Sequence, residues 1–125
     1  TDSELACRRD GLSIRPAVTG GVFSDWEVVE KLWTRAFEWL NVTNEHTVLS
    51  AESPWSTSAH RQQMMELMFE TYNVPGLFIA KSSALAAFSV GRSTSMVVDC
   101  GGGGTSVVPV LDGYVLNKPI QRSHR

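Results

Sequence analysis

Met96-Val97-Val98-Asp99-Cys100-Gly101-Gly102-Gly103-Gly104-Thr105 is the stretch on which the fold of this chain turns. Met96, Val97 and Val98, two of them β-branched, read as a buried strand that ends in a carboxylate, Asp99. Four glycines follow, then Thr105 and a second β-branched run, Val107-Val108-Pro109-Val110. Strand, glycine turn, strand is a tight hairpin with bare backbone at its tip. Lacking Cβ, glycines admit φ > 0 and let several amide N–H groups face one concavity, a nest for phosphate oxygens. Thr105 adds a hydroxyl donor. Asp99 repels an anion, yet it can hold a Mg²⁺, directly or through its waters, that bridges phosphates. A glycine run alone is more often just a flexible turn. The acid at one end and the threonine at the other weigh toward phosphate. The hairpin is neither a helix-opening G-x-G-x-x-G nor a Walker loop, because a strand follows it.

The chain's 125 residues suffice for one small domain, and 42% apolar content suits a packed core. A net charge of −2 and a pI of 5.9 give no electrostatic footprint for nucleic acid. No run of 18 apolar residues predicts a membrane span, and no charged-then-apolar leader is visible. Cys7 and Cys100 form neither a metal spacing nor a disulfide framework, which favours a reducing compartment. There is no initiator Met, and the chain runs out at Ile120-Gln121-Arg122-Ser123-His124-Arg125 without a closing element. It reads as a fragment, or a truncated gene model, of something longer.

Working outward, residues 1–12 are polar, mixed in charge and aperiodic, and read as loop. Ser13 to Val18 reads as a short edge segment, since Pro16 removes a ladder donor. Gly20-Gly21 is a turn. Ser24 with Glu27 three residues on is a capping box. A helix is expected from Asp25 to Leu40, with Trp26, Val29, Trp33, Phe37 and Leu40 on one apolar stripe. Its three tryptophans suit core packing better than a ligand platform. Thr47 to Ser50 is a short buried strand, followed by a loop, Ala51-Glu52-Ser53-Pro54-Trp55. Glu52 there reads equally as a site residue or a solvated loop acid. A second helix starts near Thr57 or Ser58 and ends by Asn73, with Met64, Met65, Met68 and Tyr72 inward and His60 and Arg61 solvated. Leu77 to Ala80 has the unbroken apolarity of a central parallel strand. A third helix covers Ser82 to Val90, with Gly91 at C′, and Asp112-Gly113 predicts a type I′ turn.

The pattern strand-Asp-x-Gly-x-Gly-x-Thr-strand resembles the second phosphate loop of the actin, Hsp70 and sugar-kinase superfamily. Three flanking stretches look like actin: Gly91-Arg92-Ser93-Thr94, Asp112-Gly113-Tyr114-Val115-Leu116, and Leu67-Met68-Phe69-Glu70-Thr71-Tyr72-Asn73-Val74-Pro75. The resemblance runs in register from Ser13 to Ile120. It implies an α/β, ribonuclease H-like fold, present in part: the C-terminal half of the first duplicated unit, residues 1–92, and the opening strands of the second, residues 93–125. It also implies ATP and Mg²⁺ as ligands. Phosphate would lie on Gly101, Gly102, Gly103, Gly104 and Thr105, and the metal near Asp99, through water. The first phosphate loop falls outside this stretch.

Departures from actin narrow the class. Ser82 stands where a hydrolysing actin carries the glutamine that positions attacking water, and a serine hydroxyl is too short to reach it. Gly102 stands for an acid, Ser106 for a histidine and Cys100 for a serine. Positioning dominates phosphoryl transfer, so these changes spare binding and slow turnover. Lys81-Ser82, Ser53-Pro54-Trp55 and Ala87-Phe88 most resemble the nuclear actin-related class of BAF-type and INO-type remodellers and NuA-type histone acetyltransferases. That class implies a nuclear location, pairing with actin on a helix of the remodelling ATPase, and contact with histones or nucleosomes. It implies neither sequence-specific nucleic-acid binding nor a membrane. Phe88, Gly91 and Ser93 align with the lining of the cleft that takes such a helix; the plainer reading makes Phe88 core and Gly91 a helix cap. The competing functions are a cytoplasmic, cytoskeletal polymerising ATPase and an Hsp70-like chaperone ATPase, the latter supported by the glycine loop alone.

Overall fold

The computed structural model describes Ser13 and residues 15–123. The expected loop at residues 1–12, Cys7, Ile14 and the last two residues lie outside them. The chain opens with β1 (Val18–Thr19) and β2 (Val22–Phe23), an antiparallel pair closed by Gly20 and Gly21 at φ 58° and 78°. Both turn residues are left-handed, which glycine adopts without strain.

Helix α1 (Trp26–Leu40) follows. Its N-cap is Asp25, one residue later than the capping-box reading placed it. Asp25 is extended, and its carboxylate accepts from Val28 N at 3.3 Å. Ser24 instead pairs its hydroxyl with Thr19 Oγ1 at 3.0 Å. Glu27 is drawn sideways to Arg15 and Lys31 rather than back to the cap. Along the stripe, Val29 is buried, and Trp26, Trp33 and Phe37 pack on the core around Met64, Met68 and Val74. Leu40 is a correction: it is exposed at the helix end. Edge-to-face rings link Phe23 to Trp26 and Phe37 to Tyr72, so the tryptophans at 26 and 33 are structural.

Strand β3 (Val48–Glu52) runs one residue past the expected loop start, so Glu52 ends a strand. Helix α2 (Ser58–Glu66) is capped by the Thr57 hydroxyl and loosens into a π-turn, Leu67–Thr71. Met64 and Met68 point inward, but Met65 is 39% exposed, against expectation. His60 is half-buried, its Nδ1 2.8 Å from Thr57 Oγ1, and Arg61 is ion-paired rather than simply solvated.

Strand β4 (Leu77–Lys81) pairs parallel with β3, Val48 opposite Leu77 through to Glu52 opposite Lys81. Helix α3 (Ser82–Ser89) leaves β4 directly, and Gly91 follows at φ 70°, the left-handed position expected of C′. Then comes the hairpin: β5 (Ser95–Gly101) and β6 (Gly104–Leu111), antiparallel, with Val97 opposite Val108 and Gly101 opposite Gly104. Strands β7 (Tyr114–Val115) and β8 (Gln121–Ser123) divide the other edge of β6. Asp112 and Gly113 take φ 48° and 82°, the type I′ turn. Helix α3 packs on β5 and β6, and Ala84, Ala87, Val108 and Val110 are buried. No helix among the described residues is long and apolar enough to cross a membrane.

Candidate nucleotide cleft

The parallel pair β3–β4 and the hairpin β5–β6 converge at one end on a cleft of about 480 Å³. That volume falls in the range of small-molecule sites. One wall is the hairpin, through Asp99, Gly101, Gly103, Gly104, Thr105 and Ser106. Facing it are Ser82 and Ser83, the first turn of α3, and the loop Ser53-Pro54-Trp55. A strand that runs straight into a helix leaves that first turn's amide groups unbonded at the mouth of the cleft. Lys81, at the N-cap position of α3, makes no side-chain cap.

Most residues singled out in the sequence meet here. Asp99 is exposed on the cleft, and its carboxylate has no hydrogen-bonding or ionic partner among the described residues. Gly102 sits at the turn tip, at the edge of the residues that line the cleft. The nest is also flatter than expected, since Gly104, at φ 134°, is the one glycine of the four at positive φ. The two-residue turn Gly102-Gly103 needs no left-handed backbone, and a Cβ at either would meet nothing within 4 Å. Their bareness serves no contact inside this chain and leaves the backbone open to something arriving from outside. Cys100 is exposed and turned from the cleft, whereas Ser106 is buried and lines it. Phe88, Gly91 and Ser93 lie elsewhere, at the far end of α3, beside the Asp112–Gly113 turn. Phe88 covers Gly113, whose amide donates to Ser93 O at 2.7 Å.

The groups that brace the cleft were harder to read from the sequence. Glu52 is buried, and two cations hold it: the Arg61 guanidinium and the Lys81 ammonium, the latter at 2.9 Å. Burial pushes its carboxyl up, but the hydrogen bonds and charges of Arg61 and Lys81 outweigh that and hold it below the usual carboxylate range. It is therefore neither a solvated loop acid nor open to ligand. Arg122 lays its guanidinium over the Trp55 ring, 4.2 Å from the centroid, and reaches Gly20 O at 3.4 Å. Trp55 Nε1 donates to the same carbonyl at 3.0 Å, and Ser53 Oγ donates to Gly21 O. Gly21 is glycine for a steric reason as well as a conformational one, since a Cβ would lie 2.8 Å from the Trp55 ring. The signals were present: an acid ending an apolar strand, a lysine in register with it, and paired glycines. Only the β3–β4 register and the β8 pairing bring them together.

Glu52→Gln is expected to cost the whole protein about 2 kcal/mol, below the full loss for a buried pair because Arg61 is 44% exposed. A folded-state pKa below the ordinary 4.5 stabilises fully above that value and ceases to as pH falls through the folded value. Thermal melts of both proteins should therefore differ at neutral pH and begin to converge only as pH falls below 4.5. A constant difference across that window would contradict the ion pair.

The cleft fits a phosphate-bearing ligand with a divalent cation. It offers one open carboxylate, bare backbone, hydroxyls at Thr105, Ser82 and Ser106, and a helix start. No cluster of three or more His, Cys, Asp or Glu able to hold a metal exists among the described residues, so a cation here needs the ligand's own oxygens or water. Comparison with known proteins gives the same superfamily. The family model described as "Actin" matches residues 1–125. The chain is 45% identical over 121 residues to Actin-related protein 4 of Arabidopsis thaliana, covering 95% of this chain and 27% of that protein. It is 44% identical over 122 residues to Actin-related protein 4 of Oryza sativa subsp. indica, covering 96% and 28% respectively. The chain thus spans little more than a quarter of the curated relatives it matches. Its mixed helices and small sheets are a partial actin-like α/β fold, and the chain belongs to the actin family.

Proposed function

We propose that this chain is part of an ATP-binding, actin-related scaffold subunit of nuclear chromatin-remodelling or histone acetyltransferase complexes, pairing with actin on a helix of the remodelling ATPase. The observation that carries the reading is the cleft itself. It keeps Asp99, the bare glycine backbone and Thr105 on one wall and places Ser82, not a long amide, at the first turn of α3 on the other. Such a site is equipped to bind a nucleoside triphosphate and poorly equipped to aim a water at it. The likeness to proteins named Actin-related protein 4 supports an actin-related protein over a conventional actin.

In this reading Asp99 holds the magnesium through its waters. A magnesium held there would supply charge neutralisation for the phosphates. The glycine turn from Gly101 to Gly104 and the Thr105 hydroxyl would cradle phosphate oxygens, with the Gly102 and Gly103 amides at the tip placed to donate, since Gly101 and Gly104 pair with each other across it. Histones or nucleosomes are further partners of such a subunit, and the nucleus is its location.

The partner helix is assigned to the far end of α3, where Phe88 is 54% exposed beside Gly91 and Ser93. Gly91→Trp would confound two effects, because φ 70° strains any side chain there. Ser93→Trp is cleaner: Ser93 is exposed, and its turn contact is made by the backbone carbonyl. Calorimetric titration of the whole protein with the ATPase helix and nuclear actin is expected to lose binding in Ser93→Trp, while the ATP-induced rise in melting temperature persists. Retained helix binding by the folded variant would remove this site from the reading and favour the cytoskeletal alternative.

A further inference from the structure

The nucleotide reading leaves the two cations that hold Glu52 beside the cleft unexplained. Lys81 is the last residue of β4 and sits immediately before Ser82, so its backbone sets where the first turn of α3 enters the cleft. Its side chain turns the other way. The ammonium is 21% exposed and meets Glu52 Oε1 at 2.9 Å, Ser53 O at 3.3 Å and Ser56 O at 3.4 Å. Both carbonyls belong to the loop that carries Pro54 and Trp55 into the cleft. One residue thus fixes one cleft wall by its backbone and the next by its charge.

The contacts continue beyond Trp55. Its indole N–H holds Gly20 O, its ring carries the Arg122 guanidinium, and Arg122 lies opposite Ser106 in the β6–β8 register. Ser106 neighbours Thr105 on the hairpin wall. A continuous set of hydrogen bonds and one cation–π stack therefore runs from Lys81 through the loop to the strand that bears the glycine turn. An ammonium is suited to this because it donates three bonds in three directions from one point. Glu52, itself fixed by Arg61, anchors that ammonium from below.

We infer that Lys81 is a positioning residue for the nucleotide cleft. It clamps the Ser53–Ser56 loop and so holds Trp55 against Arg122 on the cleft wall that faces the glycine hairpin, without touching the ligand. This rests on the nucleotide reading above for its purpose, but the clamp is defined by Trp55 alone.

The test uses the whole protein labelled with 5-fluorotryptophan, the Trp55 resonance being assigned by its loss in Trp55→Phe. Fluorine spectra are recorded without ligand, and Mg·ATP affinity is measured by calorimetry. Lys81→Met is expected to move the Trp55 resonance and weaken Mg·ATP about tenfold, and Lys81→Arg to restore both. Lys81→Gln, which keeps two donors, substitutes if the methionine variant does not fold. An unmoved Trp55 resonance overturns the clamp, whatever the affinity does. A moved resonance with affinity within about twofold of wild type overturns its role in binding. If the wild type itself does not bind Mg·ATP, the nucleotide reading fails, and the Trp55 resonance still decides whether Lys81 sets that wall.

Discussion

Expressed alone, residues 1–125 are expected to show no cooperative thermal transition. Leu49 and Phe78 are register partners on β3 and β4, so they stand side by side on one face, and they are 61% and 68% exposed. Parallel pairs are ordinarily covered on both faces, and a two-stranded sheet is marginal in water. Among the described residues, each of these strands has one unpaired edge, a template for association between chains. On α1, Leu32, Trp39 and Leu40 are exposed as well. Buried apolar side chains each contribute about 1.5–3 kcal/mol, and here several large ones contribute little. Circular dichroism with calorimetry is the measurement. A broad, concentration-dependent signal is the expected result. A sharp transition with an enthalpy near 90 kcal/mol, the size-scaled value for a folded chain of this length, would contradict it.

The whole protein is expected to hydrolyse bound ATP about 100-fold more slowly than actin, the loss typical of a mispositioned reactant. Ser82 lines the cleft, but its hydroxyl ends close to the α3 backbone, and Ser106, the second substituted position, is buried on the opposite wall. Neither side chain spans the gap to hold an attacking water. Asp99, the glycine backbone and Thr105 are untouched by these substitutions, so affinity and rate should separate. Single-turnover hydrolysis at actin's own rate would show that other groups aim the water. Ser82→Gln is expected to recover part of the rate with little change in affinity.

Much of the fold was readable because local signals were strong and agreed. The Asp99-to-Thr105 stretch specifies a hairpin through β-branched strands around glycine. Asp112-Gly113 specifies a type I′ turn, and Gly91 ends α3 as a left-handed cap. The errors are those of fine local competition. Asp25 outcompeted Ser24 for the cap because Ser24 found Thr19 across the β1–β2 turn. Leu40 and Met65 fit an ideal helical stripe, but the last turn of α1 projects beyond the core and α2 loosens toward its π-turn. Glu52, Lys81, Trp55 and Arg122 were invisible as a group. Their meeting depends on a parallel register and on a strand pairing nearly 70 residues beyond Trp55 in the chain, and pairing at such separations is fixed by tertiary packing rather than by local pattern.

The hairpin cleft is expected to bind a magnesium nucleotide through Asp99 and the glycine backbone. The most direct measurement is the ATP-induced rise in melting temperature of the whole protein with magnesium, for wild type and Asp99→Ala. Ligand at 100 times its Kd adds about 2.7 kcal/mol of stability, and a tenfold weaker site loses about 1.4 of that. Asp99 is exposed and has no hydrogen-bonding or ionic partner among the described residues, so its removal should leave the ligand-free melting temperature unchanged. The account expects a clear rise in the wild type and roughly half that rise in Asp99→Ala. An equal rise in both proteins would show that Asp99 does not hold the metal, and no rise in either would contradict the nucleotide cleft itself.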